Sequence, residues 1–194
     1  MTRVVSPAEA AEALRGGKVA LVPTETVVGL VAAEAGLPKI REIKGRDADK
    51  PIALLCASPE EAFALATSVP PLARRLASLF WPGSLTLVLD QPGGGTVGVR
   101  VPADSAVRKV LEAYGEPLYA TSANLSGEPA PKGLEEVDPE VSQAVDLIVE
   151  GESGSGEASA VADLSGGRVR LLRATEKLSE EEMARFAAGD EGQW

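Results

Sequence analysis

SLTLVLDQPGGGTVGVRV, residues 84–101, is the stretch whose reading decides the fold class. Gly93, Gly95 and Gly98 spell G-x-G-x-x-G, the spacing of a dinucleotide-binding turn. That turn works only when a helix follows the glycines, so that the helix N-terminus meets a pyrophosphate. Here VGVRV follows, which reads as a strand. The glycines therefore read as a hairpin turn between strands SLTLVL (84–89) and VGVRV (97–101).

Outward from the hairpin, the punctuation is regular. Upstream, Ser6-Pro7-Ala8-Glu9 is a capping box with proline at the first helical position, and the helix should run to about Arg15 and stop at Gly16-Gly17. KVALV (18–22) and PIALLC (51–56) read as buried strands. Between them, Pro23 breaks the first strand, and a short helix is expected over about Pro38 to Lys44, ended by Gly45. Ser58-Pro59-Glu60-Glu61 opens another capped helix, and a further one spans roughly Pro71 to Phe80 before Pro82-Gly83. Downstream come a helix over about Ser105 to Tyr114, strand PLYAT (117–121), a weaker helix near 134–144 and strand DLIV (146–149). GESGSGE (151–157) reads as a mobile loop closing over a ligand. SAVADL and RVRLLR are short strands, and Ser179 to Glu182 caps a last helix. Strands and helices alternate without a strict βα repeat, with hairpins between. The expected fold class is α/β of the mixed α+β kind: a single domain over 1–194, with a twisted mixed parallel and antiparallel sheet flanked by helices.

Composition narrows the function. Aromatics are 4% of the 194 residues, so Leu, Val and Ala must build the core. The net charge of −10 argues against a dedicated nucleic-acid binder, and any anionic ligand must meet a local basic cluster. No histidine is present, which excludes Ser-His-Asp and Cys-His catalysis and a histidine-based zinc site. Cys56 has no second cysteine to pair with. There is no apolar run long enough for a membrane helix and no signal-peptide core, so a cytoplasmic location is expected.

Two segments carry candidate chemistry. KGRDADKP (44–51) places Lys44, Arg46 and Lys50 just after a short helix. Alone, such a run reads as a solvated loop; as a site, it reads as a phosphate-binding one. TSANLSG (121–127) follows a buried strand, where small hydroxyl and amide side chains can orient a polar ligand or simply cap a turn.

Together with their neighbours these segments become familiar. PTETVVGL, KGRDADKPIALL, WPGSLTLVL, VGVRVP and ATSANLSGEPAP occur in this order and resemble the YrdC/TsaC family of threonylcarbamoyl-adenylate synthases, from about Lys18 to Arg173. The resemblance implies a YrdC-like single-domain enzyme, a nucleotidyltransferase. It would form threonylcarbamoyl-AMP and pyrophosphate from L-threonine, bicarbonate and ATP, with Mg2+ on the phosphates, for tRNA threonylcarbamoyladenosine modification. Implied partners are t6A transferase proteins, with tRNA contact indirect and no membrane. The family's K-x-R and S-x-N signature falls on Lys44, Arg46, Ser122 and Asn124, the implied catalytic set. Arg46, Lys50, Thr96, Ser122 and Arg173 are implied to contact ATP; Thr26, Arg100 and Ser159 are implied to hold L-threonine. Thr24 is not separable from Thr26 by sequence. Metal ligands are not assigned. The chain departs from the family at Val28, usually Tyr or Phe, and at Ala160, usually Thr. Two other readings stand beside this one: an RNA-binding module of the same fold, and a paralogue making a different carbamoylated product.

Overall fold

The computed structural model describes residues 3–45, 51–103, 105–152 and 154–189. The capping signals act where the sequence puts them. The Ser6 hydroxyl accepts from the Glu9 amide and the Glu9 carboxylate accepts from the Ser6 amide, starting α1 (Pro7–Arg15). The same box at Ser179 and Glu182 starts α7 (Glu180–Ala187). Gly45, at φ 57°, closes α2 (Leu37–Lys44) in the left-handed region that glycine enters without strain. The remaining helices are α3 (Pro59–Ala64), α4 (Pro71–Phe80), α5 (Ser105–Tyr114) and α6 (Pro139–Ala144).

Ten strands among the described residues form one sheet. They are β1 (Arg3–Val5), β2 (Val19–Val22), β3 (Gly29–Ala32), β4 (Ala53–Leu55), β5 (Leu85–Asp90), β6 (Thr96–Arg100), β7 (Leu118–Ser122), β8 (Leu147–Val149), β9 (Ala160–Asp163) and β10 (Arg170–Arg173). Their order is β1-β8-β2-β3-β7-β4-β6-β5-β9-β10, with parallel and antiparallel pairs mixed, as expected from the sequence. The central hairpin is real: β5 and β6 pair antiparallel with Val88 opposite Gly98. Gly93, Gly94 and Gly95 all take positive φ in its turn, and no helix follows them.

Three elements differ from the sequence reading. β3 is a strand where only a break was expected; it pairs antiparallel with β2, so Pro23–Val28 is the loop of a hairpin. β1, three residues long, pairs parallel with β8 at the sheet edge. The helix expected over 134–144 is split into a 3-10 turn at Leu134–Glu136 and α6, because Pro139 lacks the amide to continue a helix and Asp138 instead caps the Glu140 amide at 2.7 Å.

Side-chain alternation gives the sheet two unlike halves. On β2, Val19 and Leu21 pack toward α2 and α6, while Ala20 and Val22 pack toward α1 and α5, so both faces are covered. On β5 and β6, Leu85, Leu87, Leu89 and Val99 pack against α4 and α7. The alternate residues of those strands face a side without helix cover, and the cavity lies there.

Candidate active site

The cavity has a volume of about 320 Å³. Period-two alternation brings Thr96, Gly98 and Arg100 of β6, and Thr86 and Val88 of β5, to its floor. Gly98 keeps the floor low; a Cβ there would already touch the Ala53 Cβ at 3.4 Å.

Arg100 comes from the strand after the glycine turn and is only 8% exposed. Its Nε donates to the Gly83 carbonyl at 3.0 Å. Its Nη2 donates to Glu25 Oε1 at 2.7 Å and to Thr26 Oγ1 at 3.1 Å. The direction of the next bonds follows by elimination. Thr24 gives its one hydroxyl proton to the Val27 carbonyl at 2.7 Å, so in the 2.9 Å contact between the two threonines Thr26 donates. The hydroxyl of Thr26 is thus fixed by Arg100 on one side and Thr24 on the other, and both threonines line the cavity. Burial pushes the Glu25 carboxyl up, but the Arg100 charge and the Ala103 amide outweigh it and hold the group below its ordinary value.

Arg173 reaches the same cavity from β10. Counting alternation along RVRLLR would put Arg173 on the face of Leu171, which packs against the core. A bulge intervenes: Leu171 pairs with Ala162 and Arg173 with Val161, leaving Leu172 as the extra residue. Leu172 and Arg173 both line the cavity as a result. Arg173 Nε donates to the Ser159 carbonyl at 2.6 Å, and Nη2 to its hydroxyl at 3.3 Å. Thr86 meets that hydroxyl at 3.0 Å. Burial and then the positive charge of Arg100 lower the Arg173 pKa, so the two guanidinium groups feel one another. An anion between them would relieve that repulsion.

The TSAN segment is held from behind. Lys44 is 1% exposed and does not line the cavity. Its ammonium donates to the carbonyls of Ser122 and Asn124 and, at 3.2 Å, to Asn124 Oδ1. Ser122 lines the cavity, and its hydroxyl donates to Asn124 Oδ1. Asn124 itself lies outside the lining and fastens the turn through Nδ2 to the Leu125 and Glu128 carbonyls.

The structure therefore gathers Thr26, Thr96, Arg100, Ser122, Ser159 and Arg173 on one cavity, with Lys44 and Asn124 behind Ser122. Arg46 and Lys50 lie outside the described residues. Glu25 and Thr86 escaped the sequence reading. Thr86 left a signal, a hydroxyl alternating with leucines in SLTLVL; Glu25 left only its charge in a polar loop. Cys56 is buried, and burial followed by the Glu61 charge pushes its thiol up to about 12, so it is no nucleophile at neutral pH. Among the described residues, no group of three His, Cys, Asp or Glu could hold a metal ion, and no helix is long and apolar enough to cross a membrane.

Comparison with known proteins bears on the family. The Sua5/YciO/YrdC family model, described as "Telomere recombination", matches residues 12–175. The threonylcarbamoyl-AMP synthase of Pyrococcus abyssi is 40% identical over 177 residues, 84% of this chain and 52% of that protein, so the chain spans about half its length. A putative threonylcarbamoyl-AMP synthase of Mycobacterium leprae is 33% identical over 180 residues, 86% of this chain and 81% of that protein. The crystal structure of P. abyssi Sua5 complexed with L-threonine superposes with a TM-score of 0.81 at 35% identity, over 89% of this chain and 57% of that one. The family match and the shared fold lead to one assignment: the chain belongs to the Sua5/YciO/YrdC family.

Proposed function

We propose that the chain is a threonylcarbamoyl-AMP synthase, a nucleotidyltransferase acting on L-threonine, bicarbonate and ATP. One observation carries the reading: two arginines, Arg100 held by Thr26 and Arg173 held by Ser159, line one cavity edged with hydroxyl groups. The reaction brings several anions together, and this is a place for them.

The amine of threonine combines with bicarbonate to give a carbamate and water. A carbamate oxygen then attacks the α-phosphorus of ATP, and pyrophosphate leaves. The carbamate is already an anion, so the second step needs no strong base, which suits a chain without histidine. The catalytic work is to hold the reactants in line and to offset charge on the phosphates. In this reading Arg100, Thr26 and Ser159 take the threonine, with the guanidinium on its carboxylate. Arg173, Ser122 and Thr96 take the nucleotide together with Arg46 and Lys50. Lys44 and Asn124 act through Ser122, by fixing the end of β7. Magnesium is proposed as a companion of the ATP phosphates; the described residues offer it no cluster of carboxylates.

The single sheet supports one domain as the working unit, because both arginines come from its strands. The product would pass to t6A transferase proteins in the cytoplasm, with tRNA met indirectly. Pyrophosphate release with ATP, L-threonine and bicarbonate, omitting each in turn, tests the assignment. Release is expected only with all three, and equal release without threonine would overturn it.

A further inference from the structure

We propose that Glu25 is a positioning residue for amino-acid binding, a fixed internal carboxylate that aims the Arg100 guanidinium. This rests on the reading of Arg100 as the partner of the substrate carboxylate. Glu25 does not line the cavity. It reaches Arg100 Nη2 at 2.7 Å from the PTET loop, outside the cavity wall. An arginine side chain has many rotamers, and ordering it on binding weakens affinity. Here Gly83, Thr26 and Glu25 fix the guanidinium before any ligand arrives.

Glu25 is itself held from three sides. Its Oε1 accepts from the Ala103 amide at 3.0 Å, tying the PTET loop to the segment after β6. Its carbonyl accepts from Ser155 at 3.0 Å, and the Thr26 carbonyl from Gly156 at 2.7 Å. Gly154 lies so close that a Cβ there would stand 2.0 Å from the Glu25 carbonyl carbon. Gly154, Ser155 and Gly156 thus back the PTET loop, and Gly154 serves close approach. A carboxylate placed so firmly at the back of a ligand-binding arginine sets that arginine's direction.

Calorimetric titration of L-threonine and of ATP into Glu25→Ala, Glu25→Gln, Glu25→Asp and Arg100→Ala tests the proposal. Glu25→Ala is expected to weaken threonine binding about tenfold and to leave ATP within about twofold, the effect of losing one charge-assisted contact to Arg100. Glu25→Gln keeps an acceptor oxygen at the same reach and is expected to recover most of the loss. Glu25→Asp, one methylene short, is expected to recover less. Should Glu25→Ala not fold, the ranking of Gln above Asp carries the test. Threonine binding as tight as in the parent, or tighter, in folded Glu25→Ala would overturn the proposal, because Glu25 would then compete for Arg100 rather than aim it. Equal loss in Gln and Asp variants would overturn it too. Unchanged threonine binding in Arg100→Ala would instead remove the reading of Arg100, and the role of Glu25 with it.

Discussion

Arg100→Ala is expected to cost stability as well as binding. A ligand-facing arginine on a surface contributes little to a fold, but Arg100 is 8% exposed and holds Gly83, Glu25 and Thr26 at once. Losing a charge-assisted hydrogen bond to a carboxylate costs about 1.5–3 kcal/mol. A fully buried orphan charge would cost more. The Glu25 side chain is 21% exposed, so water offsets part of that, and about 2–3 kcal/mol is the expected loss. In a domain of this size each kcal/mol lowers the melting temperature by roughly 2–4 °C, which gives a drop of roughly 4–12 °C. The sign of the pH dependence follows from Glu25. Its folded-state pKa is depressed, so its contribution is complete above the unfolded value and is lost as the pH falls through the folded one. The deficit of Arg100→Ala should be largest near neutral pH and should shrink in acid, as protonation removes the stranded charge. Thermal melts of Arg100→Ala, Glu25→Ala and the double variant, across that pH range, measure both effects. The double variant should be more stable than the sum of the singles requires, by about 1–2 kcal/mol. An unchanged melting temperature in Arg100→Ala, or strict additivity, would refute the coupling.

Lys44→Met strands the acceptors of Ser122 and Asn124 in a buried position, and urea denaturation should show a loss of about 2–4 kcal/mol with weaker ATP binding alongside. Gly98→Val should fold, since its Cβ meets Ala53 and Thr86 at ordinary distances of 3.4 and 3.7 Å, yet it raises the cavity floor; ligand titration should show at least about a tenfold loss, and full binding would mean the cavity is not the nucleotide site. Amide exchange at Ser155 and Gly156 should slow when ATP and threonine bind, because closure would hold their bonds to the Glu25 and Thr26 carbonyls; unchanged exchange would count against a closing loop.

The parts of the fold legible in the sequence are those that local chemistry settles. The hairpin at 84–101 was legible because a turn needing positive φ at successive glycines is followed by a strand rather than a helix. The caps at Ser6 and Ser179 were legible because donor and acceptor lie three residues apart. β3 was not: Gly29-Leu30-Val31-Ala32 is buried at every position, so it carries no alternation, and it follows a proline-broken loop. The position of Arg173 was legible only through resemblance. Its orientation depends on the bulge at Leu172, and a bulge is a property of pairing with β9 that no residue of RVRLLR announces.

The same distinction explains why the front of the site was readable and its support was not. Arg100 stands on a strand whose period fixes its face once the glycine turn is placed. Its three partners lie elsewhere in the chain: Gly83 before the hairpin, and Glu25 and Thr26 some 75 residues upstream. Only the antiparallel pairing of β2 with β3, and the passage of β3 to β6 through β7 and β4, brings the PTET loop across to Arg100. A carboxylate in a polar loop could pair with any cation on the surface. What makes Glu25 specific is the uncovered half of the sheet: α1 and α5 cover one half of that face, α4 and α7 lie on the opposite face, and the gap that remains is where long polar side chains from distant strands can meet. The site's supporting carboxylate is therefore a consequence of sheet order, and its energetic worth can be measured only against the arginine it holds.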